Sequence, residues 1–524
     1  MRRVNKLRLT FALVPMLTVP GAVSLLDGCS DDPAVEAGDS ATGPDTSKGD
    51  SASSDAGTPA DATLKDASDV WAPPPLSDAG PMPSDASAMI PDVVLPPADP
   101  CLSIAPGVNP VQHRDTILNC LTTKKRAVLL PGIHTISNLI QVPAGAVLEG
   151  TGGKPTLRYG AAAGNSMVTL FDGSVLRSLR LQPGGFLDQT NGAIVHIEGS
   201  NAVVKDCVLE NVSVFSKTTG VYFIGKDKKD SVVEDTEIKD SFYGVIFASY
   251  LDAAHPNIVR RTKIHAIACD GVTLAGYGEV RDSEIFDVGF NCLNPAVNGG
   301  PPIPGAAIFS LGNPNGGLLA GNNLHEACGN VIDVDRISGL KIQNNTITGP
   351  SYQRSAFETF CVGGASVSIV DSSNLVITGN NVVNERATSR VGAFGDPNFI
   401  FGRYGDLPQG SNQAIAFWLT RRVGGPPATG STIDNNVLRA NCAAPCVGLG
   451  YFIGRRTGVD AQGNWSAATT NYFTRNNPVG SNVGSKRCGR NWYAGNSVCG
   501  NDAECNLDDA QHPDTAGFRN DNCP

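Results

Sequence analysis

The 524 residues carry a formal net charge of −10, yet fourteen of the fifty acidic residues fall between 30 and 100, against two lysines, and the first 29 residues are net +3. Residues 101–524 are therefore nearly neutral and offer no electrostatic footprint for nucleic acid. Glycine is abundant (59 residues) and aromatics are sparse (6%), a composition that suits turns and short strands and disfavours a helical bundle.

The chain begins with Arg2, Arg3, Lys6 and Arg8, followed by an apolar run from Leu9 to Leu26. A basic start ahead of an apolar stretch predicts an export signal over residues 1–28. Pro15, Pro20 and Gly21 interrupt the run and argue against a transmembrane helix. Leu26-Asp27-Gly28-Cys29 resembles the lipobox of bacterial lipoproteins. That resemblance implies lipidation of Cys29 and a protein exported and lipid-anchored to the bacterial cell envelope, exposed at the surface. Residues 29–100 alternate Asp with Ala, Ser, Gly and Pro. Too few large apolar side chains stand there to offset ordering entropy, so a disordered, self-repelling acidic linker is expected.

Residues 101–126 read as an N-terminal cap with a short amphipathic helix over residues 115–121, which closes the exposed end of a solenoid. A repeat then runs through residues 127–476. Its anchors are Leu209, Ile238, Ile264, Ile285, Leu324, Ile347, Val382 and Leu438; five residues before each stands another aliphatic, Val204, Val233, Val259, Val280, Leu319, Ile342, Ile377 and Ile433. A second strand follows most turns, as in Gly220-Val221, Gly244-Val245 and Gly271-Val272. The strand pattern stays constant while the spacing between anchors varies. That combination predicts a right-handed parallel β-helix, an all-β solenoid of short strands whose insertions leave through one turn. Two residues before each anchor stand Cys207, Thr236, Thr262, Ser283, Asn322, Asn345, Asn380 and Asn436. Alternation points this column inward, where polar side chains must bond one another up and down the stack.

Fourteen cysteines in an exported chain predict disulfides. Cys101 and Cys120 can tie the linker to the cap helix, and Cys442 and Cys446 can close a tight turn. Lipidation of Cys29 leaves an odd number, so at least one thiol stays unpaired. Cys488, Cys499, Cys505 and Cys523 lie in a Gly/Asn/Asp-rich tail, expected to form a cross-linked C-terminal cap over 477–524.

Leu130-Pro131-Gly132 after the cap helix, and the Gly-Val-x-Leu and Asn-Asn-x-Ile coils, resemble the pectate lyase/polygalacturonase-like superfamily over roughly residues 111–476. The resemblance implies a β-helix fold and a polysaccharide substrate. It implies activity weakly, because that superfamily holds lyases, hydrolases, epimerases and proteins without known catalysis. Cys269-Asp270-Gly271 looks like the stretch that bears the first catalytic aspartate of polygalacturonases, which maps that role onto Asp270. Gly305-Ala306 stands where those enzymes carry paired aspartates, and their Gly-His-Gly and Arg-x-Lys motifs do not follow.

Two chemistries remain open for an acidic polysaccharide. Asp270 and Asp333, two coils apart, can divide acid and base roles in a hydrolase; the alternative is an Asx-type turn at Asp270 and a solvated Asp333. The outward strand column is expected to read His196, Tyr222, Ile246, Thr273, Ile308, Asp333 and Ser368. In a lyase, His265 or His325, in the column one past the anchors, abstracts a proton, since imidazoles titrate near neutral pH. The neighbouring Glu237, Lys263 and Glu284 read as a charge ladder between stacked strands. Excursions at 289–305, 349–364 and 384–412 carry Tyr352, Arg354, Arg386, Phe399 and Tyr404. Their rings can stack on sugars and their guanidiniums can pair with carboxylates, or the rings pack the loops onto the solenoid. No metal ligand set is assigned; zinc on the cysteines is the alternative to disulfides, disfavoured because no paired Cys-x₂-Cys stands in the sequence, and Ca²⁺ is the cofactor left open. The remaining alternative is a non-catalytic adhesin or glycan-binding scaffold, and a monomer is expected.

Overall fold

In the computed structural model the described residues are 101–160, 166–183, 192–211, 218–225, 227–249, 253–290, 292, 305–313, 315–350, 365–384, 413–420, 430–440, 447–453, 472–474, 486–487 and 492–494. The signal, linker and Cys29, the loop residues Tyr352, Arg354, Arg386, Phe399 and Tyr404, the Cys442/Cys446 turn and the tail cysteines all lie outside them.

Among the described residues, short strands pair in parallel to build three sheets of 14, 12 and 11 strands. From Arg126–Leu129 to Val447–Ile453 the chain visits them in strict rotation. Sheet 1 (Cys101–Ile104 to Trp492–Ala494) is followed by sheet 2 (Ile133–Ile136 to Val437–Ala440) and then by sheet 3 (Ile140–Val142 to Lys486–Arg487). The result is a right-handed parallel β-helix. The eight anchors pair in unbroken register, Leu209 on Ile238 through Val382 on Leu438, and so do the upstream aliphatics. Both columns are almost wholly buried in one continuous core.

The turn from sheet 1 to sheet 2 explains the repeat at atomic level. It contains two residues in each coil from Asp206-Cys207 to Asn435-Asn436. The first has φ between +48° and +68°: Asp206, Asp235, Arg261, Asp282, Gly321, Asn344, Gly379 and Asn435. Glycine reaches this left-handed region freely and Asn and Asp tolerate it, which is why those residues recur there. The second residue turns its side chain inward. Asn322 N and Nδ2 donate to Asn345 Oδ1 (2.9 Å each), Asn345 donates likewise to Asn380, and Asn380 to Asn436. Each amide also donates to a carbonyl of an earlier coil, such as Leu319 O from Asn345 at 2.9 Å. Ser283 and Thr262 continue the ladder downward. Cys207 completes it as a buried free thiol, its Sγ 3.3 Å from the Lys205 carbonyl and its proton loss pushed up to about 12 by burial.

The excursions at 289–305, 349–364 and 384–412 all leave the turn from sheet 2 to sheet 3. The turn from sheet 3 to sheet 1 varies as well, from 275–278 to 248–257, so two turns absorb insertions where the sequence suggested one. The cap helix spans Pro110–Thr123 and starts earlier than the apolar pattern indicates. Asn109 caps it, its side chain accepting from Val111 N and Gln112 N. Ile117 and Leu121 plug the end of the core, and the Cys101–Cys120 disulfide closes the cap. Strand Cys101–Ile104 adds to sheet 1, while 486–487 and 492–494 continue the stack beyond residue 476.

Candidate active site

Register fixes the outward column of sheet 3 residue by residue: His196, Tyr222, Ile246, Thr273, Phe309, Asp333, Ser368 and Trp418. Phe309, and not Ile308, occupies its coil's place, and Ile308 is wholly buried in the core. Ala306, Ala307 and Ile308 are all apolar, and no glycine marks the strand start as Gly271 does one coil earlier, so the sequence misplaces this strand by one residue.

Asp270 sits at the bend into this face and is 5% exposed. Its Oδ1 accepts from the Ala306 amide of the next coil at 2.9 Å. The carboxylate thus binds across coils and does not close an Asx turn on its own strand. No N–H or O–H of the described residues reaches Oδ2; its polar neighbour is Cys269 Sγ at 3.5 Å. That sulfur is bonded to Cys292 and has no hydrogen, so only the acid form of Asp270 brings a proton to the contact. Phe242, Ala268, Cys269, Phe290 and Cys328 form a second apolar cluster outside the main core, with Tyr243 and Cys292 packed against it. Burial pushes the Asp270 carboxyl up to about 7; the Ala306 amide opposes the rise and the charge of Asp333 adds to it.

Asp333 projects outward from Ile332–Asp335, half-buried, between inward Ile332 and Val334. It lies two coils beyond Asp270, so roughly 10 Å along the axis at the usual strand spacing. Thr273 shares its column, and the Thr273 Oγ1 is shut from solvent with no hydrogen-bond partner among the described residues. Gly305 accounts for the missing aspartate pair. A Cβ there would lie 2.6 Å from Cys269 O and 2.8 Å from Cys292 Sγ, so the disulfide occupies the space of any side chain.

His265 and His325 come together with Phe286 on sheet 2. The three rings stack at 5.0 Å with interplanar angles of 7° and 8°, and Lys263 Nζ lies 5.0 Å from the Phe286 centroid. His265 Nε2 bonds Glu237 Oε1 at 2.9 Å, and His325 Nε2 lies 3.3 Å from Glu284 Oε1. Glu237, Lys263 and Glu284 stand in register as the charge ladder read from the sequence. The structure therefore assembles two groups on two sheets: a carboxyl pair on sheet 3 and a histidine–phenylalanine column on sheet 2.

No protein family's sequence profile matches the chain, and no curated protein matches it. Solved structures similar to it include the A-module of a mannuronan C-5 epimerase from Azotobacter vinelandii. That likeness has a TM-score of 0.46 and 12% identity over 74% of this chain and 95% of the other. A tailspike protein of an Escherichia coli O157:H7 bacteriophage gives 0.40 and 13% over 61% of this chain, which spans 40% of the tailspike. An α-1,3-glucanase catalytic domain gives 0.40 and 13%, over 76% of this chain and 68% of that domain. At such scores and identities these likenesses assign no role to any residue here, and the fold rests on the strand pairing.

Sequence reasoning missed the cover over Asp270. One signal for it existed: Cys269 and Cys292 are 23 residues apart, close to one coil.

Proposed function

We propose that the protein is an exported, lipid-anchored hydrolase of a polysaccharide, with Asp270 as proton donor and Asp333 as the ionised base. The observation that carries this reading is the unlike environment of the two carboxyls. Asp270 is buried beside the Cys269–Cys292 disulfide, held by one amide and pushed up to about 7, while Asp333 stands half-buried on the outward strand column. Environments that drive paired carboxyls apart in proton affinity are how one site supplies an acid and a base together. Two coils separate them by roughly 10 Å along the axis, at the upper limit for a carboxyl pair that admits a water in an inverting mechanism. Phe309 stands in the coil between them, with a ring suited to a sugar face.

An acidic glycan is the substrate class indicated by the loop arginines Arg354 and Arg386, and membrane attachment follows from Cys29; both rest on sequence. The lyase reading is weaker, because His265 and His325 stand on the other sheet, each beside a glutamate. The non-catalytic reading draws on the 5% exposure of Asp270, which fits a structural acid. A panel of acidic and neutral polysaccharides separates the three. New reducing ends without unsaturated product support the hydrolase, unsaturated product supports the lyase, and binding without turnover supports the scaffold. Cys29→Ser tests the anchor: the variant should leave the membrane fraction or retain its signal, and normal cleavage with wild-type fractionation would refute lipidation.

A further inference from the structure

We propose that the Cys269–Cys292 disulfide and the apolar cluster it fastens are a positioning element that covers Asp270 Oδ2 and so keeps this carboxyl in its neutral, protonated form. The assignment of a donor role rests on the hydrolase reading; the cover itself rests on geometry alone.

Three independent observations support it. Cys269 Sγ lies 3.5 Å from Oδ2 while the Ala306 amide takes Oδ1, so sulfur stands beside the oxygen that has no amide donor. The cluster of Phe242, Ala268, Phe290 and Cys328 closes around the disulfide, drawing its members from several successive coils. Gly305 lacks the side chain that would push Cys292 away; any Cβ there would overlap its sulfur. The disulfide links the residue before Asp270 to the segment leaving the next coil, so it holds the cover without bonding Asp270 itself. Hydrocarbon and disulfide sulfur are poor solvents for an anion, so a cover of this composition favours the neutral acid. The elevated proton affinity of Asp270 agrees with that placement.

The test reads the proton on Asp270 directly. In the full-length chain, the infrared carbonyl stretch of the protonated carboxyl is assigned by its loss in Asp270→Asn and followed against pH. In wild type the band should titrate near 7. In Cys269→Ser/Cys292→Ser its midpoint should fall by about one pH unit or more as water enters. Phe290→Leu opens the cover without touching a cysteine and should lower the midpoint in the same direction. It also keeps the test alive if the cysteine variant does not fold. Cys101→Ser/Cys120→Ser, at the distant cap, should leave the band where it is. An unmoved midpoint in both cover variants, or an equal shift in the cap variant, overturns the proposal. Glycan cleavage is measured separately. A midpoint that falls as described in a protein that cleaves no glycan upholds the cover and removes the hydrolase reading, so the two failures are distinguishable.

Discussion

Substituting Asn345 by leucine tests the polar ladder more sharply than any other change in the core, because the structure predicts its cost relative to a neighbour. Asn345 is 1% exposed, and its Oδ1 accepts from both Asn322 N and Asn322 Nδ2. Leucine has similar bulk but no acceptor, so two buried donors lose their partner. At roughly 1–3 kcal/mol per buried unsatisfied group, the loss is about 2–6 kcal/mol, partly offset by the added apolar burial. Asn322→Leu removes an acceptor used by only one donor, Ser283 N, and should cost about half as much. Urea unfolding of both variants, with the m-value checked for constancy, measures the difference. Equal costs, or an unchanged midpoint for Asn345→Leu, would refute the assignment of two bonds to one amide oxygen.

Two further predictions concern pH. Asp270→Asn keeps an acceptor for the Ala306 amide and removes the titration. The folded-state value near 7 lies above the unfolded value near 3.8, so the native acid's stabilising contribution is complete below about 3.8 and lost as pH rises through 7. The variant should match wild type in thermal stability at pH 4 and exceed it by about 4 kcal/mol at pH 8; a pH-independent difference would contradict the buried acid. At the cap, His113 Nε2 bonds His134 Nδ1 at 2.8 Å and His134 Nε2 bonds the Leu130 carbonyl at 2.7 Å. Burial lowers the proton affinity of both imidazoles, with each other's proximity adding to it for His113. Their depressed values mean that the unfolded chain binds more protons below about 6.5, so the cap should lose stability as pH falls from there. Corrected for the intrinsic pH dependence of amide exchange, the protection of Pro110–Thr123 should be lower at pH 5.5 than at 7.5, and equal protection at both would exclude the mechanism.

The solenoid was legible because its constraints are local. A left-handed turn residue, an inward polar residue and an aliphatic anchor occupy fixed neighbouring positions, so Asn344-Asn345-Thr346-Ile347 declares its own geometry. The register failed once, at residues 306–309, where four consecutive apolar residues give no alternation to read. The helix start at Pro110 was hidden because Val111 is exposed and His113 is buried, the reverse of an apolar pattern. Asp270 could be picked out by its neighbours in the chain, but its environment could not. Cys269, whose sulfur lies 3.5 Å from its Oδ2, packs with Phe242, Phe290 and Cys328, and only the stacking of coils brings these together.

The central claim is that Asp270 donates a proton during glycan cleavage, and turnover of Asp270→Asn on a polysaccharide that the wild type cleaves tests it most directly. The amide preserves the Ala306 bond and the fold but cannot donate an acid proton. In the variant kcat should fall by about 10²–10⁴-fold with the native structure intact. Wild-type turnover in the folded variant would contradict it.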